Sequence, residues 1–273
     1  MLEIKRIVSL SDISELKKQY FAQSTAPLDG MWHFGFVPMS DHFAFYEGNV
    51  LVGYCCKNSE GYLLQFYLSP KANAQAADLF TLIAQQNSSV IGAVSGAFVS
   101  TAETDYLSLC FDNSSSFKVN ALMYQLGAAQ NIKTIEPLDM QLAKQQQLEN
   151  FVEFAALNIG APKQWLAGYY SNLIQRNELW GYFNHNELLS AGECRLFDDY
   201  QTEYAELGMI VAKTERGKGI ATRVLHQLIS LSSKQGLLPI CSTESGNVGA
   251  QKAIAHAGFV SSNRIVQFEF DSK

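Results

Sequence analysis

Tyr204-Ala-Glu-Leu-Gly-Met-Ile-Val-Ala-Lys-Thr-Glu-Arg-Gly-Lys-Gly-Ile-Ala-Thr222 decides how this chain reads. Its first part, Tyr204 to Val211, is apolar and bounded enough to be a buried strand. After it, Val224, Leu225, Leu228, Ile229 and Leu231 recur at helical spacing. Between strand and helix lies Arg216-Gly-Lys-Gly-Ile-Ala221, a glycine turn. Small residues let backbone N–H groups approach an anion, and a helix N-terminus adds positive potential. A pyrophosphate is the natural guest of such a turn.

Two familiar nucleotide loops do not fit. A Walker loop needs Gly, four residues, then Gly-Lys-Ser/Thr, and a dinucleotide fingerprint needs a third glycine and a later acid. The segment instead resembles the acetyl-CoA signature of the GNAT N-acetyltransferases: Arg or Gln, two residues, Gly, one residue, Gly or Ala. Arg216, Gly219 and Ala221 fill it, with Val211 where that family's strand ends in Val. A second stretch, Pro239 to Phe259, is similar to the family's fifth strand and following helix, with Asn247, Ala250, Gly258 and Phe259 matching. The resemblance covers about half of the chain.

The resemblance implies acetyl-CoA as the acyl donor and an amine of a small molecule or peptide as the acceptor. It places the pantetheine beside Met209, Ile210 and Val211, with the Ile210 or Val211 amide supporting the thioester oxygen. It places the diphosphate on Arg216, Gly217, Lys218, Gly219, Ile220, Ala221 and Thr222. Asn247 would reach the pantetheine arm, or else cap the helix it opens.

Acetyl transfer to an amine also needs the acceptor delivered neutral and the oxyanion stabilised. Glu206 shares a strand face with Gly208 and Ile210. Glu244 ends the next strand. Either carboxylate is a candidate base through a water, and Ser245 offers a hydroxyl beside them. Many family members carry a helix Tyr as acid for the leaving thiolate; here the pattern puts Ile254 at that position. Tyr204 or Ser245 would have to substitute, or the thiolate leaves unassisted. Cys241 as an acyl-cysteine nucleophile has no neighbouring His base in the sequence. Trp32, His33, Trp165, Tyr169 and Tyr170 are aromatic candidates for an acceptor site or for packing; the resemblance places the acceptor near Asn158 to Tyr170. A CoA-binding sensor that has lost turnover is the competing reading, favoured by the missing Tyr and disfavoured by the carboxylates.

The 273 residues suit two domains, and an apolar share of 47% supports sizeable cores. A net charge of −6 without a long basic run argues against nucleic acid. The five cysteines include no CxxC or Cys/His ligand spacing, so reduced thiols and no metal are expected. No apolar leader or spanning run is present, which makes a cytoplasmic enzyme the default expectation.

The chain also reads as a repeat. Phe43 to Tyr54 parallels Leu179 to Gly192, and Leu63 to Phe80 parallels Leu207 to Leu225. In the first copy Lys71-Ala-Asn-Ala-Gln-Ala76 lacks the Arg and both glycines. We therefore expect an α/β (α+β) chain of two GNAT-like domains, each a mixed, mostly antiparallel sheet flanked by helices. Residues 1–130 form a degenerate copy that has lost CoA binding and offers a surface for a partner or a homodimer. Residues 131–273 form the acetyltransferase domain. Within the first copy, strands are expected at Glu3–Val8, in a hairpin over His42–Cys56, and at Tyr62–Leu68, Ser89–Phe98 and Tyr106–Phe111. Helices are expected to Tyr20, over Lys71–Gln86 and over Asn120–Leu126, with a loop at Ala26–Pro38. In the second copy, a strand at Ile132–Glu136 and a helix from about Asp139 to Ala156 precede a helix over Pro162–Arg176, a hairpin over Leu179–Phe197, the motif elements, and a last strand at Ile265–Phe270.

Overall fold

The computed structural model describes residues 2–127 and 138–270; the strand expected at Ile132–Glu136 and the boundary expected after residue 130 lie outside them. The elements in chain order are β1 (Leu2–Arg6), α1 (Ser14–Gln23), β2 (Asp41–Glu47), β3 (Val50–Lys57), β4 (Tyr62–Leu68), α2 (Ala76–Ala84), β5 (Gly96–Ser100), α3 (Thr104–Asp112) and β6 (Ser114–Leu126). There follow β7 (Met140–Leu142), α4 (Leu148–Ile159), α5 (Lys163–Gln175), β8 (Leu179–Asn184), β9 (Glu187–Leu196), β10 (Tyr204–Val211), α6 (Ile220–Lys234), β11 (Leu238–Glu244), α7 (Val248–His256) and β12 (Phe259–Phe270). Contacts group residues 1–122 with 263–273 as one unit and residues 123–262 as the other. Among the described residues no helix is long and apolar enough to cross a membrane.

In the first unit the strand order is β1-β2-β3-β4-β5-β12. The pairs from β1 to β4 are antiparallel, β4 and β5 run parallel, and β12 returns antiparallel against β5. The β2–β3 hairpin turns on Gly48, whose φ of +60° is left-handed and suits glycine. One core packs Phe80 and Ile83 of α2 and Tyr106 and Cys110 of α3 on Phe66, Val99 and Phe268. The other packs Leu16 and Tyr20 of α1 on Tyr54 and Tyr67.

The second unit repeats this plan with the order β11-β10-β9-β8-β7. Its strands β7 to β10 are antiparallel neighbours, and β11 runs parallel to β10. Helices α4 and α5 cover one face, where Phe151, Leu166 and Tyr170 meet Leu179, Ala191 and Ile210. Helix α6 covers the other. A Cβ on Gly192 would lie 3.1 Å from Val224 and 3.3 Å from Leu228, so this glycine lets α6 sit close to the sheet. All five cysteines are buried and none is bridged.

Several expected elements differ. Tyr106–Phe111 is helix, not strand: Tyr106 and Cys110, four apart, are the buried pair of α3. Asn120–Leu126 is strand, not helix, its Ala121 and Met123 buried in alternation. Both runs are short and apolar, where period alone does not separate the two states. Strand β5 begins only at Gly96, and α2 only at Ala76. A short strand, β7, precedes α4 where helix was expected. Met31–Phe36, expected as loop, winds as a π-helical turn. There the Asp29 carboxylate accepts the Trp32 N–H at 2.7 Å, and Gln65 donates to His33 Nδ1 at 2.8 Å.

Gly96 lies opposite Glu269 of β12, and a Cβ there would come within 1.9 Å of the Phe268 carbonyl oxygen. Gly96→Ala must push the strands apart. Urea unfolding should show a loss of at least about 2 kcal/mol. An unchanged midpoint would mean that β12 does not pair here.

Candidate active site

Strands β10 and β11 pair only at Tyr204↔Leu238, Ala205↔Pro239 and Glu206↔Ile240. Beyond Glu206 they diverge, although β10 continues to Val211 and β11 to Glu244. On its other side β10 stays in register with β9 as far as Val211↔Ser190. The Ala212 N–H donates to the Leu189 carbonyl at 2.9 Å, which fixes the alternation. Residues of even number bond toward β9, so the Ile210 amide is engaged there. The amides of Met209 and Val211 face the gap. Of the two amides expected to support the thioester, the register therefore favours Val211, and it adds Met209.

The turn after β10 is held in shape by long-range bonds. Gly217 and Gly219 have φ of +80° and +79°, left-handed values, and neither is crowded. Glycine is needed here for the backbone bend. Gly219 is the N-cap of α6 and no side chain caps the helix, whose first backbone bond is Arg223 N–H to Gly219 O. The first-turn amides of Ile220, Ala221 and Thr222 thus lack intrahelical partners, the arrangement that can receive an anion. The Thr222 hydroxyl itself reaches the Ala253 carbonyl, at 3.4 Å.

Arg216 does not face that site. Its Nε donates to the Val211 carbonyl at 3.3 Å and its Nη2 to the Asn158 carbonyl at 2.9 Å. The buried Asn158 side chain accepts the Lys213 N–H at 2.8 Å and donates to the Phe154 carbonyl at 2.7 Å. The signature arginine is a latch between the turn and the end of α4, and Asn158 is its other half. Sequence reading placed Asn158 only at the edge of the acceptor region. Lys218 is exposed and pairs with Glu215 at 2.8 Å. Asn247 caps α7, accepting the Ala250 N–H at 3.1 Å.

Glu206 is buried and faces α5. Arg195, its cross-strand neighbour on β9, pairs with it at 2.9 Å. Arg195 also pairs with Glu193 and donates to the Tyr169 hydroxyl at 2.8 Å. Tyr169 in turn donates to Glu193 at 2.6 Å. Burial, with the neighbouring Glu193 carboxylate, holds the Tyr169 hydroxyl well above its ordinary pKa, so it stays a donor. One guanidinium thus faces two carboxylates, and the cluster has an acidic excess. Gly208 makes room for it, since a Cβ there would lie 3.0 Å from Glu193 Oε2. Trp165, 39% exposed, stacks on Tyr169 with ring centroids 4.8 Å apart.

Glu244 and Ser245 are exposed at the end of β11. Ile254 and Cys241 are buried, Ile254 in the α7 face. Tyr204 opens β10 at its paired end, away from the divergence. In the first unit His33 is fully enclosed, and burial lowers its pKa to about 3, a packing role.

The first unit carries a counterpart of this geometry. Strands β4 and β5 pair at Tyr62↔Gly96 and Leu63↔Ala97 and then diverge. The following turn lacks glycines, and its amides are already engaged. Glu47 accepts the Asn73 N–H at 2.9 Å and the Ala74 N–H at 2.8 Å, and also the Asn73 side-chain amide at 2.7 Å. These bonds hold its carboxyl below the usual range.

Two family models match the chain in tandem: an acetyltransferase (GNAT) domain over residues 9–127 and the acetyltransferase (GNAT) family over residues 145–259. An acetyltransferase from the GNAT family of Colwellia psychrerythraea is similar along the whole chain, with 62% identity, 98% of this chain and 100% of that one covered, and a TM-score of 0.95. The fold is shared with a GCN5-related N-acetyltransferase from Sphaerobacter thermophilus (12% identity, 100% and 97% covered, TM-score 0.66). It is shared as well with a tandem GNAT protein from the clavulanic acid biosynthesis pathway (11% identity, 98% of both chains, TM-score 0.62). No curated protein matches. The chain belongs to the GNAT acetyltransferases, enzymes whose acyl donor is acetyl-CoA, and it carries two GNAT domains in tandem.

Asn158→Ala removes the acceptor of the Lys213 N–H. We expect a loss of about 1–3 kcal/mol in urea unfolding, with weaker acetyl-CoA binding by calorimetry. Asn158→Asp keeps the acceptor but loses the donor to the Phe154 carbonyl and buries a charge, so it should destabilise at least as much as alanine. Equal binding by wild type and the alanine variant would remove the latch from the account.

Proposed function

We propose that the C-terminal unit acetylates a primary amine of a small molecule or peptide by direct attack. The observation that carries this reading is the divergence of β10 from β11 beside the uncapped α6 N-terminus. An extended pantetheine can add to the open edge of β10 through Met209 and Val211 while the diphosphate meets the first turn of α6. The amine nitrogen attacks the thioester carbonyl carbon. The oxyanion is held by an amide of β10, the C–S bond breaks, and the C–N bond remains. The acidic excess of Glu193, Arg195 and Glu206, under the Trp165–Tyr169 stack, suits a cationic acceptor. Glu206 takes the ammonium proton through a water. Ser245, at the end of β11, is the candidate donor to the leaving thiolate, and a thiolate is a good enough leaving group to depart without it.

On this reading the N-terminal copy does not take acetyl-CoA. The Glu47 carboxylate bonds the Asn73 and Ala74 amides just ahead of α2, and a second anion beside it would be repelled.

The test is turnover of acetyl-CoA with a panel of amines. Glu206→Gln should lower kcat by about 100-fold or more, with acetyl-CoA affinity retained. Glu244→Gln should stay within about threefold of wild type, since general acid–base removal costs far more than that. Reversal of the two effects would move the base to Glu244.

A further inference from the structure

Phe66 and Leu68 of β4 lie beyond the last β4–β5 pair, Leu63↔Ala97. The Ser69 N–H donates to the Val52 carbonyl at 2.7 Å, and Tyr67 lies opposite Tyr54. Odd-numbered residues of this stretch therefore bond toward β3, and the main-chain groups of Phe66 and Leu68 face the gap. On the far side, the Thr101 N–H donates to the Arg264 carbonyl at 2.8 Å, toward β12, so Ser100 of β5 faces the gap. There Glu103 Oε2 accepts the Ser100 N–H at 2.5 Å. The β5 side of the gap is thus closed by its own chain. The β4 side has no such cap among the described residues, and an open strand edge is a template for another strand.

A cavity of about 290 Å³ lies at this edge. Phe66 and Tyr67 are consecutive, so their rings point to opposite faces of the sheet. Phe66 packs with Tyr106 of α3 in one core, and Tyr67 packs with Tyr20 of α1 in the other. All four residues line the same cavity. It therefore crosses the sheet where β5 has departed, rather than lying on one face. A strand added there would find main-chain partners on β4 and a pocket on each face for its alternate side chains.

The lining selects the ligand. It is rich in aromatic rings and includes no Lys, Arg or His, while Asp105 stands exposed at the wall. Rings suit apolar side chains, and a phosphate or carboxylate would find no counter-charge. An unbranched amide arm such as pantetheine has no alternating side chains with which to fill both pockets. We propose that the N-terminal unit binds a short extended peptide with apolar side chains, added as a strand to β4 at Phe66 and Leu68. The site is separate from the acetyl-transfer reading and does not depend on it.

The experiment is calorimetry on the full chain with the blocked peptide acetyl-Leu-Val-Leu-amide. The same peptide N-methylated at every amide should bind at least about tenfold more weakly, since it cannot donate to the strand. Acetyl-Glu-Val-Glu-amide should lose at least about as much. Hydrogen exchange of the Phe66 and Leu68 amides should slow on binding. Leu68→Pro removes one edge donor, which an unpaired edge tolerates, and should weaken binding by about fivefold. Ser108→Trp, at an exposed residue on the cavity wall, should block binding while circular dichroism shows the fold retained. No binding at millimolar peptide, equal binding of the N-methylated peptide, or binding that leaves the two amides unprotected would each overturn the proposal. So would binding of pantetheine in preference to the peptide.

Discussion

The structure of the site depends on β10 parting from β11 after Glu206 while keeping its register with β9. A strand that loses one neighbour exposes every second amide, here those of Met209 and Val211. Those donors must find a partner in water or in a ligand, because a buried unpaired amide is costly. The same divergence leads the chain directly into the glycine turn and the open first turn of α6. One departure from pairing therefore creates both a strand edge for an extended arm and an anion site for its charged end. The Arg216–Asn158 latch keeps the two in fixed relation.

The tandem copies keep one plan but differ in the turn that follows the diverging strand. Both have a parallel pair that diverges after two or three residues of register. In the C-terminal copy two left-handed glycines leave the turn amides open. In the N-terminal copy a turn without glycine folds onto Glu47, whose carboxylate accepts the Asn73 and Ala74 amides. Loss of the glycines and gain of the carboxylate act together. Restoring glycines alone would still leave the amides engaged.

How much was legible in the sequence follows from how local each feature is. The β10 strand, the glycine turn and α6 are adjacent in the chain, and their periodicity and glycine spacing could be read directly. The repeat was legible for the same reason, as two hairpins each followed by a strand and a helix. The Asn158–Arg216 latch joins residues 58 apart, and nothing in either neighbourhood marks the other. The Glu193–Arg195–Glu206 cluster needs the β9–β10 register, although an acid and a base two apart on the hairpin strand were a signal that cross-strand counting would have found. Short apolar runs failed most plainly. Tyr106–Phe111 reads as strand and folds as helix, and Asn120–Leu126 the reverse, because packing rather than period decides such segments.

The most direct test of the account is the stoichiometry of acetyl-CoA binding by calorimetry, comparing wild type with Gly219→Glu. That substitution places a side chain and a negative charge at the α6 N-terminus, where the diphosphate is proposed to bind. The account predicts a single acetyl-CoA per chain in wild type and none in the variant. Two equivalents in wild type, no binding at all, or equal binding by the variant would contradict it.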